Sequence, residues 1–126
     1  MTEHDPVNHP THYTSHPSGI ECLQITRLLP FDLGNAVKYV WRADLKNGQE
    51  DLRKSEFYLS DEIKRVGTVA HYLDLEPEAC LLLQEAAKAE TSGYRSVFFW
   101  AISAGDLVTA LRGVQAMIVE SVGGSV

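Results

Sequence analysis

The chain has 126 residues, 44% of them hydrophobic and 22% charged, with a formal net charge of −6. That length leads us to expect one domain with a modest core, and the acidic balance excludes the broad basic surface that bulk nucleic-acid binding requires. No apolar run approaches the ~20 residues that span a bilayer, so no membrane partner is expected.

The polar N-terminus has no apolar signal core, and the two cysteines, Cys22 and Cys80, are widely separated in apolar helical stretches. Both features fit a cytoplasmic protein with buried, reduced thiols.

Residues 1–18 read as an irregular arm, because Pro6, Pro10 and Pro17 each remove a backbone donor and push the preceding residue toward extended geometry. His9, His12 and His16 are spaced three and four apart in it. The prolines disfavour a regular helix there, and no fourth ligand has matching spacing, so no metal site is predicted. A disordered tail competes with an ordered arm folded over a pocket, in which His9, His12 or Tyr13 offers hydrogen bonds.

From Gly19 the pattern changes. Ile20, Leu23, Gln24, Arg27 and Leu28 fit a short amphipathic helix ending near Pro30, and Asp32 is the candidate N-cap of a second helix reaching about Leu45. Asn47-Gly48 signals a turn. The third helix is predicted to be the longest, from near Gln49 to about Leu73. Leu52, Leu59, Ile63, Val66, Ala70 and Leu73 form its core-facing seam. Gly67 falls within it, at a cost of up to ~1 kcal/mol against Ala.

Pro77 suits the first position of a fourth helix over about 77–90. After the Thr91-Ser92-Gly93 break, "SVFFWAIS" fits a buried strand or a buried helix. Its helical surroundings decide for a helix, since a lone strand leaves its backbone unpartnered. Gly105-Asp106 makes a turn and N-cap, and Leu107, Leu111, Val114, Met117, Ile118 and Ser121 fit a last helix.

The predicted fold is all-α: a compact bundle of about six helices over residues 19–126, carrying the irregular arm. Strands do not alternate with helices, so a Rossmann or P-loop architecture is not expected. The Ala/Leu-rich C-terminal half carries more apolar surface than so short a chain can cover, which points to a homo-oligomer.

The strongest chemical constellation lies on the second helix. Asn35, Lys38 and Arg42 stand at i, i+3 and i+7, within about 60° of one another at ~100° per residue. The other side carries Val37, Val40, Trp41 and Leu45. Lysine supplies a compact cation, arginine a planar fork and asparagine both donor and acceptor, a set that suits a phosphate with a base or sugar beside it. The competing reading is a solvated face with snorkelling side chains. In "GQEDLRKSEFYL", Glu50 and Lys54 form an i,i+4 pair, and Glu50 and Asp51 complement the helix dipole. Asp51 is also placed to meet Arg42 or Lys38 across the turn and fix its orientation.

The blocks "VNHPTHY", "GIECLQI" and "GNAVKYVWRADLKNGQEDLRKSEFYL" resemble, in order and spacing, a small domain found widely in tailed phages. That domain has long been filed as one of unknown function and is often described as nucleotide-kinase-like. The likeness covers roughly residues 6–60. It implies a phage protein working on nucleotides in the host cytoplasm. The implied activity is that of a nucleoside monophosphate kinase without a P-loop, and the chain agrees in having no GxxxxGK(S/T) segment. A nucleoside triphosphate is the candidate phosphate donor, and no other cofactor is assigned.

By motif, His9, His12 and Tyr13 correspond to the family's HPxHY block and Glu21 to its IE pair. Asn35, Lys38, Tyr39 and Arg42 correspond to GNxxKYxxR, and Asp51, Leu52 and Lys54 to DLxK. On this reading Lys38 and Arg42 hold phosphates, and His9 or His12 hydrogen-bonds a phosphate or acts as an acid. Asp51 orients a cation, and Tyr39 or Tyr13 stacks on a base. Glu21, Asn35 and Lys54 complete the candidate substrate-binding set.

Three alternatives stand beside it. The same pocket captures a nucleotide without turnover, as an effector or sponge. An all-α pyrophosphohydrolase needs EExxE with a later ExxD, to which Glu50-Asp51 and Asp61-Glu62 do not extend. A phage–host interaction protein needs no nucleotide at all.

Overall fold

A computed structural model describes residues 16–43, 48–67, 75–91 and 93–123. Six α-helices lie within them: α1 (Cys22–Thr26), α2 (Phe31–Ala43), α3 (Gly48–Val66), α4 (Pro77–Ala89), α5 (Gly93–Ser103) and α6 (Leu107–Gly123). No strand occurs among the described residues, and the fold is an all-α bundle. No helix of the described residues is long and apolar enough to cross a membrane.

Apolar periodicity explains most of these elements. On α2, Leu33, Ala36, Val37, Val40 and Trp41 are buried while Phe31, Asn35, Lys38, Tyr39 and Arg42 take the outer side. "SVFFWAIS" forms a helix, as its surroundings predict. Phe98, Phe99 and Ile102 on it are fully buried, each contributing roughly 1.5–3 kcal/mol by leaving water.

Most consecutive helices pack against one another. α2 packs along α3, α4 along α5 and α5 along α6, while α3 closes the bundle against α6. Side-chain bonds mark these contacts. Ser55 Oγ donates to Ala36 O (2.9 Å) between α3 and α2, and Ser96 Oγ to Ala87 O (2.9 Å) between α5 and α4. α1 lies against α2 so closely that a Cβ on Gly34 would come within 3.3 Å of Thr26 O.

Several expected boundaries shift. α3 ends at Val66, because Gly67 adopts φ +87° and its N–H closes on Ile63 O at 2.8 Å. A left-handed residue stops a helix, and glycine adopts that conformation without a Cβ penalty. Gly67 is therefore a terminator and not a tolerated interior residue. Of the predicted continuation to Leu73, residues 68–74 lie outside the described residues.

Asp32 is not the N-cap of α2 but its second residue, buried at 9% exposure. α2 ends at Ala43, and Leu45 lies outside the described residues. Cys22 is buried as expected, whereas Cys80 is only partly so, with Sγ donating to Ser103 O at 3.4 Å. Asp106 does cap α6, accepting from Thr109 N–H at 3.1 Å and from the Thr109 hydroxyl at 2.6 Å.

Candidate functional site

The outer face of the α2–α3 hairpin gathers the cations. The Tyr39 ring is their centre: Lys38 Nζ lies 4.4 Å, Lys54 Nζ 5.4 Å and Arg42 Cζ 5.9 Å from its centroid. The ring's quadrupole draws cations to its face and holds them close together despite their mutual repulsion. Tyr39 also stacks on Tyr58 (6.0 Å, 8°), and Tyr58 meets Phe31 and Phe57 edge-on at 6.0 and 5.3 Å. Tyr39 is half-buried among these contacts. Phe31 and Phe57 are the exposed rings of this cluster, at 75% and 65%.

Beside this cluster a cavity of about 300 Å³ opens between α1 and α2, lined by Thr26, Leu29, Pro30, Phe31, Gly34, Asn35 and Lys38. Asn35 Nδ2 donates to Phe31 O at 2.9 Å. Lys38 pairs with no carboxylate among the described residues. Its charge is felt by Cys22, yet burial dominates there and pushes that thiol up to about 12, so Cys22 is inert at neutral pH.

Behind the outer face runs a polar seam. Arg42 Nε lies 3.2 Å from Asp51 Oδ2, with the Asp51 side chain only 1% exposed. The pair therefore forms as the spacing allows, and Asp51 orients Arg42 from below. Neither Asp51 oxygen has a hydrogen-bond partner among the described residues. Asp51 lies beneath the outer face, where it pairs with Arg42. Lys54 leans on Glu50 at 3.6 Å, an exposed pair of little energetic weight.

At the far end of the seam, burial raises the Asp32 carboxyl to about 6, helped by a hydrogen bond with Asp61 and the nearby charge of Glu62. Glu62 accepts from Arg65 Nε at 2.7 Å, while its other oxygen is buried without a hydrogen-bond partner among the described residues. Among the described residues no group of three or more His, Cys, Asp or Glu side chains is arranged to hold a metal ion.

A second polar network lies under α2, and the residue patterns gave no warning of it. His16 stacks on Trp41 (4.3 Å, 28°) and meets Phe99 edge-on at 6.1 Å. Its Nδ1 contacts Ser18 Oγ at 2.8 Å and its Nε2 contacts Glu90 Oε2 at 2.6 Å. The Ser18 backbone N–H also donates to Nδ1, at 3.1 Å, which makes Nδ1 the acceptor and leaves Nε2 to donate to Glu90.

Arg95 donates to both oxygens of Glu90, at 3.0 and 3.2 Å, and to Val40 O at 2.7 Å. Val40 is in the last turn of α2, where carbonyls lack helical partners. Arg95 therefore caps the helix that carries Lys38 and Arg42. Burial acts to raise the Glu90 pKa, but the hydrogen bonds from His16 and Arg95 outweigh it and hold the carboxyl below its ordinary range.

Over residues 7–60 the sequence matches the family model of a protein of unknown function, DUF3310. The N-terminal segment is a DUF3310 match. No curated protein and no solved structure matches the chain. The DUF3310 segment takes in α1, α2 and most of α3, and with them every side chain around Tyr39. Glu90 and Arg95, which brace α2, lie beyond it.

Of the residues singled out from the sequence, Asn35, Lys38, Tyr39, Arg42 and Lys54 come together on one face, with Asp51 beneath them. Glu21 is elsewhere, at the start of α1, where its backbone N–H donates to Gln24 Oε1 at 2.7 Å. His9, His12 and Tyr13 lie outside the described residues. Phe31, Phe57 and Tyr58 were missed. A hint existed in Phe57 and Tyr58, adjacent aromatics three and four residues beyond Lys54, but their junction with Phe31 depends on how α2 meets α3.

Proposed function

We propose that the protein binds nucleotides on the outer face of the α2–α3 hairpin, as a phage-type protein acting in the host cytoplasm. The observation that carries this reading is the gathering of Lys38, Arg42 and Lys54 around Tyr39, at the edge of a cavity whose wall includes the exposed Phe31 ring. Phosphate binding asks for converging cations, one of them a fork held in place. Base binding asks for an open aromatic surface beside them. Both are present in a chain of net negative charge, where Lys38 has no carboxylate partner among the described residues.

The activity to test first is transfer of a phosphoryl group from a nucleoside triphosphate to a nucleoside monophosphate. Such a reaction rests mainly on positioning and charge neutralisation. The resemblance to a kinase-like phage domain supports it. The test is incubation of labelled monophosphate with a triphosphate donor: diphosphate formation establishes the kinase, and saturable binding without turnover establishes a nucleotide-capturing effector. One observation favours the effector: Asp51, the carboxylate proposed for chemistry on this face, is buried beneath Arg42. Exposed Tyr94, Val97 and Trp100 along α5 support self-association, for which light scattering is the measurement.

A further inference from the structure

The cavity between α1 and α2 brings three kinds of chemistry together: the Phe31 ring, the Asn35 amide and the Lys38 ammonium. Phe31 and Asn35 are one helical turn apart, as are Asn35 and Lys38, so neighbouring side chains start about 5–6 Å from each other. That spacing suits a base on Phe31 and a phosphate at Lys38, with Asn35 between them.

The orientation of the Asn35 amide is not arbitrary. Its nitrogen lies 2.9 Å from Phe31 O, and a carbonyl oxygen can only accept. The NH2 end must therefore face the helix backbone, which turns Oδ1 away from it. One acceptor and the second N–H remain for a ligand, while the bond to the backbone holds the group still.

Resting on the nucleotide-binding reading, we propose that Asn35 is the residue that reads the base of a bound 5′-nucleoside monophosphate. An amide offers one acceptor and one donor to a base edge, and a site built to hydrogen-bond a ligand group discriminates against ligands lacking it. Guanine makes the arrangement testable, because its N1–H and N2–H are two adjacent donors. An amide accepts from only one of them, whereas a carboxylate accepts from both.

The experiment is calorimetric titration of the full chain with the four common nucleoside monophosphates, for the wild type and for Asn35→Asp, Asn35→Leu and Lys38→Ala, with helix content checked by circular dichroism. Asn35→Asp cannot bond Phe31 O, which frees both carboxylate oxygens for the ligand, and it is expected to move relative affinity toward guanine by about 10-fold or more, the scale of a bidentate base contact. Asn35→Leu is expected to flatten the differences among bases. Lys38→Ala is expected to weaken all four alike, since it meets only the phosphate. Base ratios unchanged in both Asn35 variants, with Lys38→Ala still weakening binding, overturn the role of Asn35 and leave nucleotide binding standing. A wild type that binds none of the four overturns both.

Discussion

His16 Nε2 lies 2.6 Å from Glu90 Oε2, a contact between side chains 74 residues apart that ties the DUF3310 segment to the C-terminal half. Arg95 completes it by holding Glu90 with one edge and the end of α2 with another. The C-terminal half thus has a physical role in the candidate site: it braces the helix that presents Lys38 and Arg42. Removing Glu90 takes from the buried Arg95 the carboxylate that it holds through two hydrogen bonds. We expect Glu90→Ala to destabilise the fold by about 3–5 kcal/mol in guanidinium unfolding at neutral pH.

The same carboxyl sets a pH dependence. Its folded-state pKa is depressed below the ordinary 4.5, so the stability it contributes is complete above that value and is lost as pH falls through the folded pKa. Glu90→Gln is expected to be much less stable than wild type at pH 7, with the gap narrowing steadily below pH 4.5. A gap that stays constant into acid would show that the carboxylate's charge is not what matters.

Asp32 works in the opposite direction. Its folded pKa is raised from 3.8 to about 6, so the associated stability is fully present below 3.8 and is lost as pH rises through 6. At neutral pH the charged form sits against Asp61 and Glu62. Asp32→Asn is expected to raise the melting temperature by a few degrees at pH 7.5 and to leave it nearly unchanged at pH 3.5. Differential scanning calorimetry at the two pH values checks this.

The Arg42–Asp51 pair has a measurable coupling. Arg42→Met strands a fully buried carboxylate and is expected to cost about 3–5 kcal/mol, whereas the double variant Arg42→Met/Asp51→Leu should recover most of that loss. The double variant should still bind nucleotide poorly. Such an outcome separates the contribution of Arg42 to the ligand from its contribution to the fold, which neither single variant can do.

Much of this molecule was legible before its coordinates. The period of Val37, Val40 and Trp41 marks α2, Pro77 and Asp106 mark helix starts, and the 35/38/42 stripe marks the outer face. The end of α3 was hidden because the apolar period runs on through Val66 to Ala70 and Leu73, and a lone glycine in such a run does not announce its φ. Asp32 read as a cap because capping residues and first-turn residues have the same chemistry. The His16–Glu90–Arg95 network and the Phe31–Tyr58–Phe57 cluster were illegible for a different reason. Each joins residues that periodicity assigns independently, and only the crossing of helices brings them within reach.

Nucleotide binding at Lys38 is tested by calorimetric titration of a 5′-nucleoside monophosphate into wild type and Lys38→Ala at low and moderate salt. Saturable binding is expected that weakens with salt and drops about 10-fold or more in the variant, as loss of a charge-assisted phosphate contact implies. Wild-type protein giving no binding heat, or a variant indistinguishable from it, would show that Lys38 holds no phosphate.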